Sequence, residues 1–430
     1  MQKIIISQNL KKSKNQDWQN FIQNFNADNN NISSVVMEII QAVKQKRDQA
    51  VISYTNKFDG TKAKKISDLI IEKNAIKNSE KLLATEVKES LKLAQKRIIS
   101  YHQKQLPKDF NYRDKDGVRL GNIWKPIEKV GVYVPGGTAS YPSSFLMSVL
   151  PAKCAGVKEI SIFAPSQNGA INPAILYCAK ICEIDKIHLI GGVQAIASMA
   201  YGTETISKVD KIVGPGNSYV ALAKKMLYGE VGIDMIAGPT DITIIADETA
   251  NAKWVAIDAL SQLEHGIDSK AFIITNKNKV ADEILAEIHK IAPTLPRFEI
   301  IKKSLRNSAI FIIKNLDEAS IIANFIGPEH LEICTKNSQE ILSQINNAGA
   351  IFLGNYTPEA IGDYMAGPSH TLPTSSTAKF ASGLSVYDFL KRISLISCDQ
   401  KSFTKISKAT SILAKCEGLS AHQLSIDIRQ

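Results

Sequence analysis

The sequence predicts an α/β fold, and three observations carry the prediction. From Val130 onward, short β-rich runs alternate with helix-type stretches at intervals of roughly 25–30 residues, the pattern of a parallel sheet with helices on its faces. At Thr240 a second block of similar build begins. Ahead of both, the first ~110 residues carry apolar residues at three- and four-residue spacing, as amphipathic helices do.

The elements follow in order. Segments 33–54 and 79–103 read as helices, and the polar, glycine-containing stretch 107–122 reads as a connector. The first block runs strand 130–134, helix 143–155, strand 160–163, helix 173–182, strand 187–190, helix 193–201, strand 211–213 and helix 218–228. The second block has strands at 242–246, 271–275, 309–313, 331–334 and 350–353, with helical stretches between them. A Ser/Thr-rich stretch, 374–385, follows Pro373, and helical stretches run from Tyr387 to the end.

Composition narrows the function classes. At ~150 residues per domain, 430 residues suggest about three compact units. With 44% hydrophobic and 22% charged residues the chain is globular in type. No apolar run approaches the ~20 residues of a membrane helix, and the first 20 residues lack a signal-peptide core. The expected location is cytosolic. The net charge of +10 comes from basic residues scattered in short pairs such as Lys64-Lys65 and Lys302-Lys303. A nucleic-acid-binding protein with structural zinc would show a basic stripe with interleaved aromatics, and neither is visible. The six cysteines include no CxxC, and Cys178 and Cys182 share one face of an apolar helix. Cys154, beside Lys153, is either a nucleophile for an aldehyde or a small core residue.

Polar and glycine residues mark candidate sites. Three glycine clusters fall at the carboxyl ends of first-block strands, where open α/β sheets bind ligands: Gly136-Gly137, Gly191-Gly192 and Gly214-Pro215-Gly216. Each is either a binding edge or an ordinary turn. Asn217 stands at a helix N-cap position. No GxGxxG is present. Of seven histidines, four lie in polar, glycine-flanked contexts: His265, His330, His370 and His422. Gln262 and His265, three apart at a helix end, are either two ligands of one metal or a surface pair. Glu329-His330 follows a Gly-Pro turn and is either a base set beside a carboxylate or part of a hydrogen-bonded loop. Asp363 lies at a helix end rich in small residues.

Taken together these segments resemble the histidinol dehydrogenase family. The stretches that carry the resemblance run from Val130 to the C-terminus: Val130-Gly-Val-Tyr-Val-Pro-Gly-Gly, Lys211-Ile-Val-Gly-Pro-Gly-Asn, Ile233-Asp-Met-Ile-Ala-Gly-Pro-Thr, Ser261-Gln-Leu-Glu-His-Gly, Gly327-Pro-Glu-His-Leu-Glu and Ser382-Gly-Leu-Ser-Val-Tyr-Asp-Phe. The N-terminal ~110 residues resemble the family only loosely.

The resemblance implies two-step oxidation of L-histidinol to L-histidine through L-histidinaldehyde, the last step of histidine biosynthesis, with NAD as oxidant and one zinc per active site. It places zinc on Gln262, His265, Asp363 and His422, and catalysis on Glu329 and His330. It places NAD contacts on Tyr133, Gln194 and Asn217. Substrate contacts fall on Thr240, Gln262, His265, His330, Asp363, Glu417 and His422. The implied fold is two incomplete Rossmann-like, aldehyde-dehydrogenase-like domains with small helical N- and C-terminal segments. The implied units are an N-terminal segment 1–28, a discontinuous first domain 29–110 plus 239–376 with the zinc and catalytic residues, a second, NAD-binding domain 111–238, and a helical tail 377–430. The implied assembly is a homodimer in which each tail reaches the partner's site, with no nucleic-acid or membrane partner. A zinc- and NAD-dependent dehydrogenase of another polar alcohol is the alternative, and Glu417 and His422 argue against it. Thr240 stands where the family usually has serine, Ser369 where Asn is common, and Ser375-Ser376 where a Gly pair is usual.

Overall fold

The computed structural model describes residues 1–6, 10, 17–24, 32–136 and 141–430. Gly137, expected to pair with Gly136 at a strand end, and much of segment 1–28 lie outside the described residues. The strands among them are β1 (Gln2–Ile5), β2 (Ile70–Glu72), β3 (Phe110–Arg113), β4 (Arg119–Pro126), β5 (Lys129–Tyr133), β6 (Glu159–Phe163), β7 (Lys186–His188), β8 (Lys211–Val213), β9 (Gly232–Ile233), β10 (Asp241–Ala246), β11 (Lys270–Thr275), β12 (Ala309–Ile312), β13 (His330–Cys334), β14 (Ala350–Leu353) and β15 (Leu390–Ser397).

Two six-stranded sheets organise the chain. The first has the order β2-β7-β6-β5-β8-β9, parallel except for the edge strand β2. The second has the order β1-β12-β11-β10-β13-β14 and is parallel throughout. Every residue of β10, β11, β12 and β13 is buried, as expected for strands covered on both faces by helices. Separate apolar clusters fill the two faces of each sheet, with Val132, Phe145 and Ile187 in one and Ile244, Leu260 and Ile273 in another. The α/β alternation therefore stands in both blocks.

Three expectations change. The connector at 107–122 contains strands β3 and β4, and the tail opens with strand β15, where helix was expected. These form a three-stranded antiparallel sheet in which Ile123 faces Ile393 and Arg119 faces Ser397. β3 and β4 pair as a local hairpin, whereas the β4–β15 pairing joins segments some 270 residues apart, which no local pattern announces. The third change concerns the units. The resemblance groups segment 29–110 with 239–376, but β2 pairs with β7, and the helices Ser33–Asp59 and Thr85–Lys104 pack on Gly192–Tyr201 and Pro142–Ala155. This region therefore belongs to the sheet built by 111–238. Conversely β1, within 1–28, joins the second sheet beside β12.

Candidate active site

In the second sheet the polar residues gather at the amino edge. Thr240 precedes β10, and Asp241 opens it; Glu329 precedes β13, and His330 opens it. Register places Ile242 opposite His330, so these pairs are neighbours. The helix Ala252–Leu263 leaves β10 and returns before β11. Its last turn, with Gln262, and the following His265 therefore come back to the same edge. The helix Glu359–Tyr364 after β14 returns Glu359 and Asp363 likewise. The carboxyl-end rule that marks the first sheet does not describe this one.

Thr240 is the hub. Its hydroxyl accepts a hydrogen bond from the Gln262 amide nitrogen and donates to Glu329 Oε2, which also accepts from the Asp241 N–H at 3.3 Å. With its nitrogen so engaged, Gln262 turns its carbonyl oxygen away. That Oε1 is buried and makes no hydrogen bond among the described residues. His330 Nδ1 lies 3.3 Å from the Asp241 carbonyl oxygen. An N–H at Nδ1 donating there leaves the lone pair on Nε2. Nε2 is likewise buried without a hydrogen-bond partner, 3.8 Å from Glu359 Oε1 and 3.9 Å from Asp363 Oδ1.

Burial sets the charges. It depresses His330 to about 4 against the pull of Asp363, so the imidazole is neutral near pH 7. It lifts Glu329 well above the usual carboxylate range, although the Thr240 hydroxyl works the other way. Glu359 is pushed up to about 10 by burial and then by Asp363. Asp363 is half-buried, which works to raise it, but contact with His370 and the charges around it hold its carboxyl well below the ordinary range. Burial lowers His265, with Asp363 acting in the opposite sense.

His330, Glu359 and Asp363 bring ligand-type atoms within 4.8 Å of one another. Of the four zinc ligands implied by resemblance, Asp363 is in this group, and Gln262 and His265 lie at the same edge. His422 and Glu417 do not join them. His422 sits on the exposed helix Ser420–Asp427 and Glu417 caps the helix before it. Among the described residues neither makes a hydrogen bond or ion pair to the cluster. A set of imidazole and oxygen donors with Gln262 Oε1 unpartnered in the interior fits zinc.

The implied cofactor residues meet at the carboxyl edge of the first sheet. Tyr133 ends β5, and its hydroxyl accepts the Gly192 N–H at 3.1 Å. Asn217 is the N-cap expected of it, accepting from Tyr219 and Val220 N–H at 3.1 Å each. Gln194, in the helix after β7, is buried, and neither of its amide atoms has a partner among the described residues, a donor and an acceptor suited to a polar cofactor such as NAD. Gly214 has φ +109°, and a Cβ there would collide with the Tyr133 carbonyl oxygen, so only glycine brings β8 and β5 together here. The loop is gripped by a buried ion pair: Lys224 Nζ donates to the Gly214 carbonyl at 3.0 Å, and Asp234 accepts the Gly214 N–H at 2.8 Å. Cys154 is half-buried against the core and burial raises its thiol, which favours the core reading.

Sequence reading missed Glu359 and Asp241. Glu359 is four residues before Asp363, on the same face of a helix, and that spacing was a usable signal. Asp241 follows Thr240 directly. It holds Glu329 and His330 largely through its backbone, which no residue pattern reveals.

A family model described as histidinol dehydrogenase matches residues 23–430. Histidinol dehydrogenase 1 of Nostoc sp. is 48% identical over 401 residues, 93% of this chain and 92% of that protein. Histidinol dehydrogenase of Bacillus thuringiensis subsp. konkukian is 49% identical over 408 residues, 95% of this chain and 94% of that one. The crystal structure of histidinol dehydrogenase from Elizabethkingia anophelis superposes with a TM-score of 0.94 at 35% identity, covering 100% of this chain and 98% of that chain.

Proposed function

This chain belongs to the histidinol dehydrogenase family, and we propose that it oxidises L-histidinol to L-histidine in two steps through L-histidinaldehyde, with zinc and NAD. When bound, NAD supplies the hydride acceptor, and zinc supplies a fixed positive charge that orients the substrate's nitrogen groups. Gln262, His265 and Asp363 would hold zinc, with His422 brought by the tail of a partner subunit. Tyr133, Gln194 and Asn217 would line the cofactor.

The observation that carries the reading is the Thr240 bridge between Gln262 and Glu329, set beside a neutral His330 whose Nε2 has no hydrogen-bond partner among the described residues. In the first step His330 Nε2 takes the hydroxyl proton as the carbinol carbon is oxidised. In the second, water must add to the aldehyde. The donors on Glu329 both bind Oε2, which leaves Oε1 to take the water's proton. A carboxylate in a site that burial makes unfavourable for charge is a stronger base than one in water. His330 again takes a hydroxyl proton as the resulting diol is oxidised. The exposed positions of Glu417 and His422 support a homodimer in which each tail completes the other subunit's site. Among the described residues no helix is long and apolar enough to cross a membrane, and a cytoplasmic location is part of the proposal.

The test is NADH production by purified zinc-loaded protein on L-histidinol, with product analysis. Two NADH per histidine formed is expected, and no NADH would overturn the reading. Glu329→Gln should slow histidinaldehyde oxidation more than histidinol oxidation. A wild-type rate on the aldehyde would remove Glu329 from its role.

A further inference from the structure

His370 lies in the Gly367-Pro-Ser-His370 turn and takes no part in the chemistry above. Its ring connects two parts of the molecule. Nδ1 faces Asp363 Oδ1 at 3.5 Å, at the outer limit of an N–H···O contact. Nε2 lies 2.8 Å from Ser144 Oγ. Ser144 belongs to the helix Pro142–Ala155, which packs on the first sheet, whereas Asp363 belongs to the helix returning from the second. The backbone N–H of His370 also points at the Met147 sulfur of the Pro142–Ala155 helix, 3.3 Å away. His370 is thus seated on the unit that carries the cofactor edge while its ring addresses a carboxylate of the other unit. The tautomer follows from the partners. A serine hydroxyl donating to Nε2 leaves the proton on Nδ1, where it points at an acceptor-only carboxylate.

We propose that His370 is a positioning residue for the metal centre: anchored by Ser144, it fixes the Asp363 carboxylate as a zinc ligand and ties the metal side of the site to the cofactor side. The proposal rests on the reading of Asp363 as a ligand. Outer hydrogen bonds orient ligating carboxylates, and their loss commonly costs about 10–100-fold in metal affinity. Ser144 is buried and has this imidazole as its partner. The anchor is therefore shielded from competing water.

The experiment measures zinc affinity of metal-free protein by competition with a chelator, with far-UV circular dichroism as a fold check. His370→Phe keeps a ring of similar shape and removes both nitrogens. His370→Asn loses the ring but keeps an N–H near the position of Nδ1. Positioning predicts about 10–100-fold weaker zinc binding in His370→Phe and a smaller loss, about three- to tenfold, in His370→Asn, which keeps a donor toward Asp363 but gives up the Ser144 anchor. Wild-type affinity in His370→Phe, or equal losses in both variants, would overturn the proposal. Ser144→Ala removes one hydroxyl and keeps the test open if the ring variants do not fold. It should weaken binding about three- to tenfold, and no change in either affinity or the absorption of the cobalt-substituted protein would count against the anchor. Asp363→Ala separates the two levels. If it binds zinc as wild type does, the ligand reading itself fails and the inference with it. If it loses zinc while His370→Phe does not, only the inference fails.

Discussion

Replacing Thr240 by valine keeps the shape of the side chain and deletes the hydroxyl on which the site turns. Two buried groups lose a partner. The Gln262 amide nitrogen loses its acceptor, and Gln262 is only 1% exposed. Glu329 Oε2 loses its hydroxyl donor but keeps the Asp241 N–H. An unsatisfied buried polar group costs about 1–3 kcal/mol, and Thr240 itself is only half-buried, which admits some water. The expected loss is therefore about 2–4 kcal/mol, a large share of the roughly 5–15 kcal/mol of a typical domain. Urea unfolding of the metal-free protein measures it. Thr240→Ser keeps the hydroxyl and gives up one methyl, so it should fall within about 1 kcal/mol of wild type. Without the hydroxyl as acceptor the Gln262 amide is free to turn, and without it as donor Glu329 is lifted further from ionisation, so aldehyde oxidation should fall with stability in Thr240→Val and not in Thr240→Ser. Unfolding of Thr240→Val within about 0.5 kcal/mol of wild type would refute the hub.

Other outcomes follow from the same structure. Burial raises the Glu332 carboxyl to about 8, so it is uncharged in the fold at low pH. Its contribution to stability is present below the unfolded value of about 4.5 and is lost as pH rises toward 8. Glu332→Gln keeps an acceptor for the Glu359 N–H, which Glu332 Oε1 binds at 2.8 Å. It should match wild type at pH 4.5 and be more stable at pH 7 by on the order of 3 kcal/mol, checked by urea unfolding across pH. Stripping zinc should abolish turnover with little change in far-UV circular dichroism, because the apolar clusters on each sheet do not depend on the ligands; full activity in verified metal-free protein would exclude the metal. His422→Ala and His265→Ala chains should each be inactive alone. Refolded together at equal concentration, half the dimers are mixed with one intact site of two, so about a quarter of wild-type activity should return. No recovery in demonstrated mixed dimers would place His422 in its own chain's site.

The sequence by itself determined the α/β alternation, because hydrophobic period and turn chemistry are local: β8 spans Lys211–Val213 and β14 Ala350–Leu353, as the pattern has them. It also marked Asn217 as a cap and placed the Cys178/Cys182 pair on the buried face of one helix. What it could not determine depends on which distant segments meet. Strand β3 folds back on β4 as a local hairpin, and β4 and β15 are strands of one sheet because they pair across the length of the chain. The helices of 33–104 cover the first sheet because β2 joins β7, a choice their own amphipathic faces leave open. At the site, sequence motifs singled out Gln262, Glu329 and His330, but only the tertiary structure puts a threonine hydroxyl between the first two. Only it turns His330 Nε2 toward Glu359 and Asp363. The free acceptor on Gln262 and the neutral state of His330 are consequences of burial and of bonds to backbone atoms, and neither is written in any one stretch of residues.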